Sequence, residues 1–218
     1  MISVSQTVSK LIEELPLVEE GLAKGIINLS AFARVLKPRI EEELMKPIRQ
    51  GSIVMALRRV AQRSKDINRL FENTLRNIQD ITVKSNLTEY TYVNSDTLSE
   101  KYINLTKQIK LYPEAFFTAT KGVRETTLII GTDLKEEIEK LFQKEKLVSK
   151  IESLSSITLR HSKEVVYMHG FHYTILKPLA WNGVNVMESV SAYTEFTVVL
   201  ESKDVDRAFK ILKQHIDS

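Results

Sequence analysis

Four histidines, His161, His169, His172 and His215, are the residues of this chain with the widest range of chemistry open to them. A zinc site would ask for two of them one helical turn apart, or for carboxylates clustered beside them. His169 and His172 instead flank Gly170, a spacing that suits polar contact with a ligand, or plain exposure to water, better than metal. The run Glu41-Glu42-Glu43 falls on a helix-like stretch and reads as a solvated face. The chain has no cysteine, which excludes disulfides, thiolate nucleophiles and cysteine-ligated metal. No Ser, His and Asp set stands in a nucleophile motif, and no GxxxxGK[ST] phosphate loop is present. The expectation is a non-enzymatic protein with no cofactor and no metal.

A second chemistry is suggested by Arg49, Ser52, Arg58, Arg59 and Arg63, where NLSAFARVLK and QGSIVMALRRVAQR resemble a helix-turn-helix pair. A DNA-recognition helix needs one apolar face to pack and one basic face to meet phosphates and base edges. Ile53, Val54 and Leu57 supply the first, and the arginines the second. Against this, PRIEEELMKPIRQ is long for a tight turn and carries three glutamates. A helical bundle with a solvated basic face, or one packed on the rest of the chain, fits the same residues.

The elements that position these residues follow from periodicity. Up to residue 79 apolar residues recur at helical spacing, as in Val8, Leu11, Ile12 and Leu15, and Pro16, Pro38 and Pro47 are expected to punctuate short helices at first turns or breaks. Ser30 is the expected cap of AFARVL, and Gly51-Ser52 the opening of the next helix. From residue 80 the pattern changes to strands. ITVKSNLTEYTYV, the helix DTLSEKYINLTKQIK, the strands AFFTATKG and RETTLIIG and the helix DLKEEIEKLFQKEK make one set. After a polar joint near LVSKIESLS, a second set runs SITLRHS, EVVYMHG, FHYTILKPLAWNG, VNVMESVSAY, EFTVVLE and KDVDRAFKILKQHI. ITVKS matches ITLRH, and TTLIIGTDLKEEIEKLF matches FTVVLESKDVDRAFKIL, about 70 to 76 residues apart.

The reading is α+β: a helical domain over 1–79, winged helix-turn-helix being one form of it, then two ferredoxin-like β-β-α-β-β-α repeats over 80–147 and 148–218. In the last helix Val205, Ala208, Phe209 and Leu212 are expected to share the buried face. Few glycines and prolines and a 43% hydrophobic share argue for folded domains, while a net charge of +3 is too small to indicate nucleic acid. No apolar run approaches the roughly 20 residues of a bilayer span, and the start lacks a signal-peptide pattern, so a cytoplasmic location is the default.

Over YMHGFHYTILKPLAWNGVNVMESVSAYTEFTVVLESKDVDRAFKIL the sequence resembles an ACT domain, the small regulatory module that binds amino acids and similar effectors. It looks most like the regulatory part of aspartokinases, with Ser191, Thr194 and Glu195 carrying the likeness. Nothing resembles a kinase domain. The resemblance implies a ligand site at the bend Met168, His169, Gly170, Phe171 and His172, facing Asn185 and Val186 across a repeat or subunit interface. Gly170 would let backbone N–H groups approach a carboxylate, a helix N-terminus favours an anion, and Asn185 supplies a donor and an acceptor. The plainer alternative makes Gly170 a tight bend and Asn185 a turn residue in a dimerisation module. The first repeat has no glycine at the matching bend in DTLSEKYINL.

The function expected from these observations is metabolite sensing, of an amino acid for example, by a homodimer or higher oligomer, with ligand-responsive transcription control as the leading form and DNA as its partner. The alternative is a regulatory or assembly subunit that docks on a metabolic enzyme without touching DNA.

Overall fold

The computed structural model describes residues 3–110, 112 and 115–216, with side chains outside 67–74. The chain divides into two compact units, Met1–Asn73 and Thr74–Ser218.

The first unit is helical. Helix α1 spans Val4–Glu13, α2 Pro16–Ala23, α3 Leu29–Leu44, and α4 starts at Gln50 and runs to Leu75. Ser3 caps α1 through a reciprocal capping box with Gln6, and Pro16 opens α2 at its first turn, where no N–H is needed. The cap of α3 is Asn28, which accepts from the Ala31 N–H at 3.0 Å, rather than Ser30. Pro38 lies inside α3 rather than at a break, and the helix continues through the three glutamates to Leu44. Tertiary packing outweighs the lost backbone bond here, because Ala33, Leu36 and Ile40 bracket Pro38 on one buried face. Val8, Leu11, Ile12, Leu22, Ile53 and Leu57 complete the core of this unit.

The second unit is one six-stranded antiparallel sheet with helices on one face. Its elements are β1 (Ile78–Val93), α5 (Leu98–Ile109), β2 (Phe117–Lys121), β3 (Glu125–Gly131), α6 (Lys135–Phe142), β4 (Leu147–His161), α7 (Phe171–Trp181), β5 (Glu188–Ser191), β6 (Glu195–Glu201) and α8 (Val205–Ile216). The sheet order is β2-β3-β1-β4-β6-β5. Each repeat is therefore β-α-β-β-α, opening with one long strand where the sequence suggested two. EVVYMHG is not a strand: Lys163–Tyr167 form a 3-10 turn. LVSKIESLS is not a joint but the first half of β4.

The long strands bind the repeats together. The first half of β1 pairs with the second half of β4 (Ile81 with Leu159, Val83 with Ile157), and the second half of β1 pairs with the first half of β4 (Glu89 with Ile151, Thr91 with Ser149). At the crossing, Leu87 sits opposite Leu154, and a register shift on either side is taken up by Asn86 (φ 58) and Ser153 (φ 58). Both are bulge residues in the left-handed region, which costs an asparagine little and a serine more. ITVKS and ITLRH are thus cross-strand partners, not equivalents. The true equivalents are LTEYTYV and LSSITLR, 67 residues apart, as two matching hydroxyl pairs demonstrate. Thr91 Oγ1 lies 3.0 Å from Thr127 Oγ1, as Thr158 Oγ1 lies 2.8 Å from Thr197 Oγ1. Thr88 and Thr132 meet at 3.1 Å, as Ser155 and Ser202 meet at 2.8 Å.

On the helix-bearing face, Tyr90, Tyr92, Leu128 and Ile130 pack under α5 and α6, and Ile157, Leu159, Phe196, Val198 and Leu200 under α7 and α8. In α8 the buried residues are Ala208, Ile211 and Leu212, with Phe209 37% exposed, so the apolar face is turned from the expected one. On the other face Leu87, Ile129, Leu154 and Val199 form a small buried cluster against which Phe116, Ile151 and Met187 pack. Among the described residues no helix is long and apolar enough to cross a membrane.

Candidate functional site

Gly170 takes the left-handed conformation, φ 83, immediately before α7. Only glycine enters this region without steric cost, so the local sequence turns the chain from the 3-10 segment straight into the helix. No side chain caps α7, and its first turn holds no acidic residue. The N–H groups of Phe171 and His172 and the positive end of an eleven-residue helix therefore face the bend, where an anion is favoured.

The bend is lined by rings. Phe171 is buried and makes edge contacts with His161 (4.8 Å between centroids), His172 (5.5 Å) and Phe196 (5.9 Å). His172 also lies edge-on to Phe196 at 4.7 Å, and its Nε2 is 3.3 Å from Ser191 Oγ at the end of β5. Met168 and Val186 both pack on the core cluster that contains Phe171, and His169 and His172 flank Gly170 as the sequence placed them. Asn185 and Val186, however, follow the C-terminal end of α7, where the Val184 N–H donates to the Leu179 carbonyl, and are not brought to the bend. Asn185 is exposed and its amide donates to Met187 Sδ at 3.0 Å. Thr194 ends the β5–β6 connection and Glu195 opens β6; the Thr194 carbonyl accepts from the His161 N–H and the Glu195 carbonyl from the Ala192 N–H. His161 and Ser191 are the contributors that sequence reading did not assign to this bend. Their signal lay in the hairpin SAYTE, which sets the register of β5 and β6.

The matching bend in the first repeat is closed by its own side chains. Glu145 accepts from Ser95 Oγ (2.6 Å) and Thr97 Oγ1 (2.7 Å) and pairs with Lys101 Nζ at 2.7 Å. These bonds, the Lys101 ammonium first, hold its carboxyl down at about 2. Asn94 donates to the Gly122 carbonyl and accepts from Thr126. Glu100 stands in the first turn of α5, and no residue of the bend is in the left-handed conformation. Anions have less reason to settle here than at Gly170.

The arginines of the first unit do not converge. Arg49, Ser52, Arg58 and Arg59 are exposed, but Arg63 pairs with Glu13 of α1 at 3.4 Å. The spacing places Ser52, Arg59 and Arg63 on one stripe of α4 and Arg58 on another. Among the described residues of this unit there is no strand to form a wing. The winged form of the expectation thus finds no counterpart.

Two long strands locked antiparallel, each with its own β-β-α hairpin outside it, give residues 74–218 the ACT-like fold found in the regulatory part of aspartate kinases. No protein-family model matches the chain and no curated protein does. Among solved structures it is similar to the regulatory subunit of aspartate kinase from Thermus thermophilus in its ligand-free form (TM-score 0.52, 8% identity), with 64% of this chain and 98% of that one covered. It is also similar to the aspartate kinase of Clostridium acetobutylicum (TM-score 0.53, 16% identity) and that of Synechocystis (TM-score 0.53, 12% identity). The match spans 35% and 27% of those two chains, so this chain corresponds to about a third of such an enzyme or less.

Proposed function

We propose that this protein is a non-enzymatic, ligand-sensing regulatory protein, and that its effector is a small metabolite carrying a carboxylate, an amino acid being the simplest. The observation that carries this reading is the uncapped, acid-free start of α7 behind left-handed Gly170, set against a first-repeat bend closed by Glu145. The effector carboxylate meets the first-turn N–H groups of α7. Phe171 and Met168 form the apolar floor, and His172, beside Ser191, is the polar group within reach of the effector's other end. The likeness to an aspartate kinase regulatory subunit made almost wholly of this fold supports a regulatory module without a kinase domain.

A ligand-driven change requires that the effector bind two arrangements of the protein with different affinity. The short strand β5 is the element best placed to differ, since it forms one edge of the sheet and ends at Ser191, the partner of His172. Edges such as β2 and β5 are also where a second copy or another protein adds strands. Control of transcription and docking on a metabolic enzyme are two uses of such a module, and the fold favours neither.

The test is a thermal-shift screen against the protein amino acids and related carboxylates, because a ligand that binds only the folded state raises the melting temperature by mass action. A shift present in the wild type and absent in a folded Gly170→Val variant supports the site. A shift that survives this substitution moves the site elsewhere.

A further inference from the structure

The chain holds one Asn-Gly step, Asn182-Gly183, at the end of α7. An asparagine in this position carries its own chemistry: the backbone nitrogen of the next residue can attack the side-chain carbonyl carbon, and glycine, with no Cβ, leaves that approach open. Both residues are exposed, and the space where a Gly183 side chain would stand is empty to 4 Å. Two other asparagines show the contrast. Asn185 precedes the branched Val186, and Asn94, which precedes the small Ser95, has its side-chain amide held at both ends. It donates to the Gly122 carbonyl at 3.0 Å and accepts from Thr126 Oγ1 at 2.6 Å.

In the folded protein the Gly183 nitrogen is engaged. Gly183 is in the left-handed conformation, φ 68, and closes α7 with a pair of backbone bonds. Its own N–H donates to the Ala180 carbonyl and the Val184 N–H to the Leu179 carbonyl, both at 3.0 Å. Val184 and Leu179 are buried in one core cluster, the apolar contact that accompanies this kind of cap. The Asn182 amide donates to the Pro178 carbonyl at 2.8 Å, and Arg207 donates to the Gly183 carbonyl at 3.1 Å. Attack on Asn182 Cγ makes Cα, C and the Gly183 nitrogen members of one flat ring. The Asn182 peptide must therefore turn out of its helix-end geometry, φ −94 and ψ 12, and release the bond to Ala180.

We infer that Asn182 is a site of self-modification, restrained by the cap of α7 and released when that cap opens. The Gly183 nitrogen loses its proton and bonds to Asn182 Cγ, the Cγ–Nδ2 bond breaks, and ammonia leaves with that proton. Water then opens the five-membered imide at either carbonyl, giving aspartate or isoaspartate; nothing is oxidised or reduced. The cap recloses quickly beside this slow chemistry, so the rate follows the population of the open end. The product does not restore the cap. A carboxylate cannot donate to Pro178, its charge meets the negative end of α7, and isoaspartate adds an atom to the main chain beside the cap bonds.

The experiment is incubation of the full chain at mildly alkaline pH, where the amide nitrogen loses its proton more readily, both folded and in guanidinium chloride. Peptide mapping by mass spectrometry, with fragmentation that separates isoaspartate from aspartate, follows each asparagine. Conversion is expected at Asn182 ahead of Asn94 and Asn185, as both products. In the folded chain it should be at least about tenfold slower than in denaturant, tenfold being about 1.4 kcal/mol of cap opening. Val184→Ala keeps the N–H but trims the apolar anchor, and should speed conversion severalfold in the folded chain and leave it unchanged in denaturant. Gly183→Ala should slow it in denaturant, a comparison that does not depend on the variant folding. Equal rates in the folded and unfolded chain overturn the restraint, as does a Val184→Ala rate equal to the wild type. If Val184→Ala does not fold, Arg207→Ala, which frees the Gly183 carbonyl, takes its place. Conversion first at Asn94 or Asn185, none at Asn182 in denaturant, or aspartate without isoaspartate overturns the site.

Discussion

Thr91 and Thr158 each place a hydroxyl on the neighbouring strand's threonine, at 3.0 and 2.8 Å, and so mark the same position in the two repeats. Each pair joins a central strand to the hairpin outside it, and each lies on the face away from the helices. The coupling within Thr91 and Thr127, and within Thr158 and Thr197, is therefore expected to be alike, about 0.5–1 kcal/mol. Threonine-to-valine double-mutant cycles read by urea unfolding measure both. A difference of severalfold between them would mean that the two repeats are equivalent in geometry only.

Asn86 and Ser153 share the left-handed conformation but not the same tolerance of it. Ser153→Gly is expected to leave stability unchanged or raise it slightly, whereas Ser153→Val should lower it by roughly 1–2 kcal/mol. Equilibrium unfolding of the two variants separates these outcomes.

Glu145 gives the first repeat an acid-sensitive tie. Its folded-state value is depressed to about 2 by Lys101, Ser95 and Thr97, so its stabilisation is complete above the ordinary glutamate value near 4.3 and is lost as pH falls toward about 2. Glu145→Gln should cost about 1–2 kcal/mol at neutral pH and much less at the acid end. Melting curves of wild type and variant, recorded down the pH scale, should converge.

Gly170→Ala adds one methyl group in a left-handed position and is expected to cost about 1–2 kcal/mol while leaving the fold intact. Its thermal shift with any effector found for the wild type should shrink. Thr97→Ala in the first-repeat bend should weaken the Glu145 tie and leave that shift as it was.

Much of the second unit was legible because its short strands alternate and its helices are amphipathic; β3, β6, α5, α6 and α7 fall where the periodicity put them. The long strands were not. A strand of sixteen residues with a left-handed asparagine in its middle reads as two strands. Local similarity paired ITVKS with ITLRH because both open on Ile-Thr, continue with an apolar residue and then a basic one, and nothing in those residue types distinguishes a strand's equivalent from its partner. EVVYMHG has strand composition, yet the chain needs a tight path between β4 and α7, and a 3-10 turn provides it. Gly170 was visible as a residue, but the contrast that makes its bend a candidate, the closure of the other bend by Glu145, joins residues about 50 positions apart.

The interlocked strands bear on how the chain is made. As it leaves the ribosome, the first half of β1 emerges long before its partner, and Ile78 pairs with His161. Until β4 has been synthesised, a β-rich ribbon from Ile78 to Lys84 waits with its backbone groups unmatched, a state prone to wrong pairing at the slow pace of translation. A fragment ending before β4 keeps that ribbon bare, and the partner it resembles most is a second copy of β1. The first repeat expressed alone is thus expected to leave a sizing column as a pair, with β1 of a second copy taking the place that β4 holds in the whole protein.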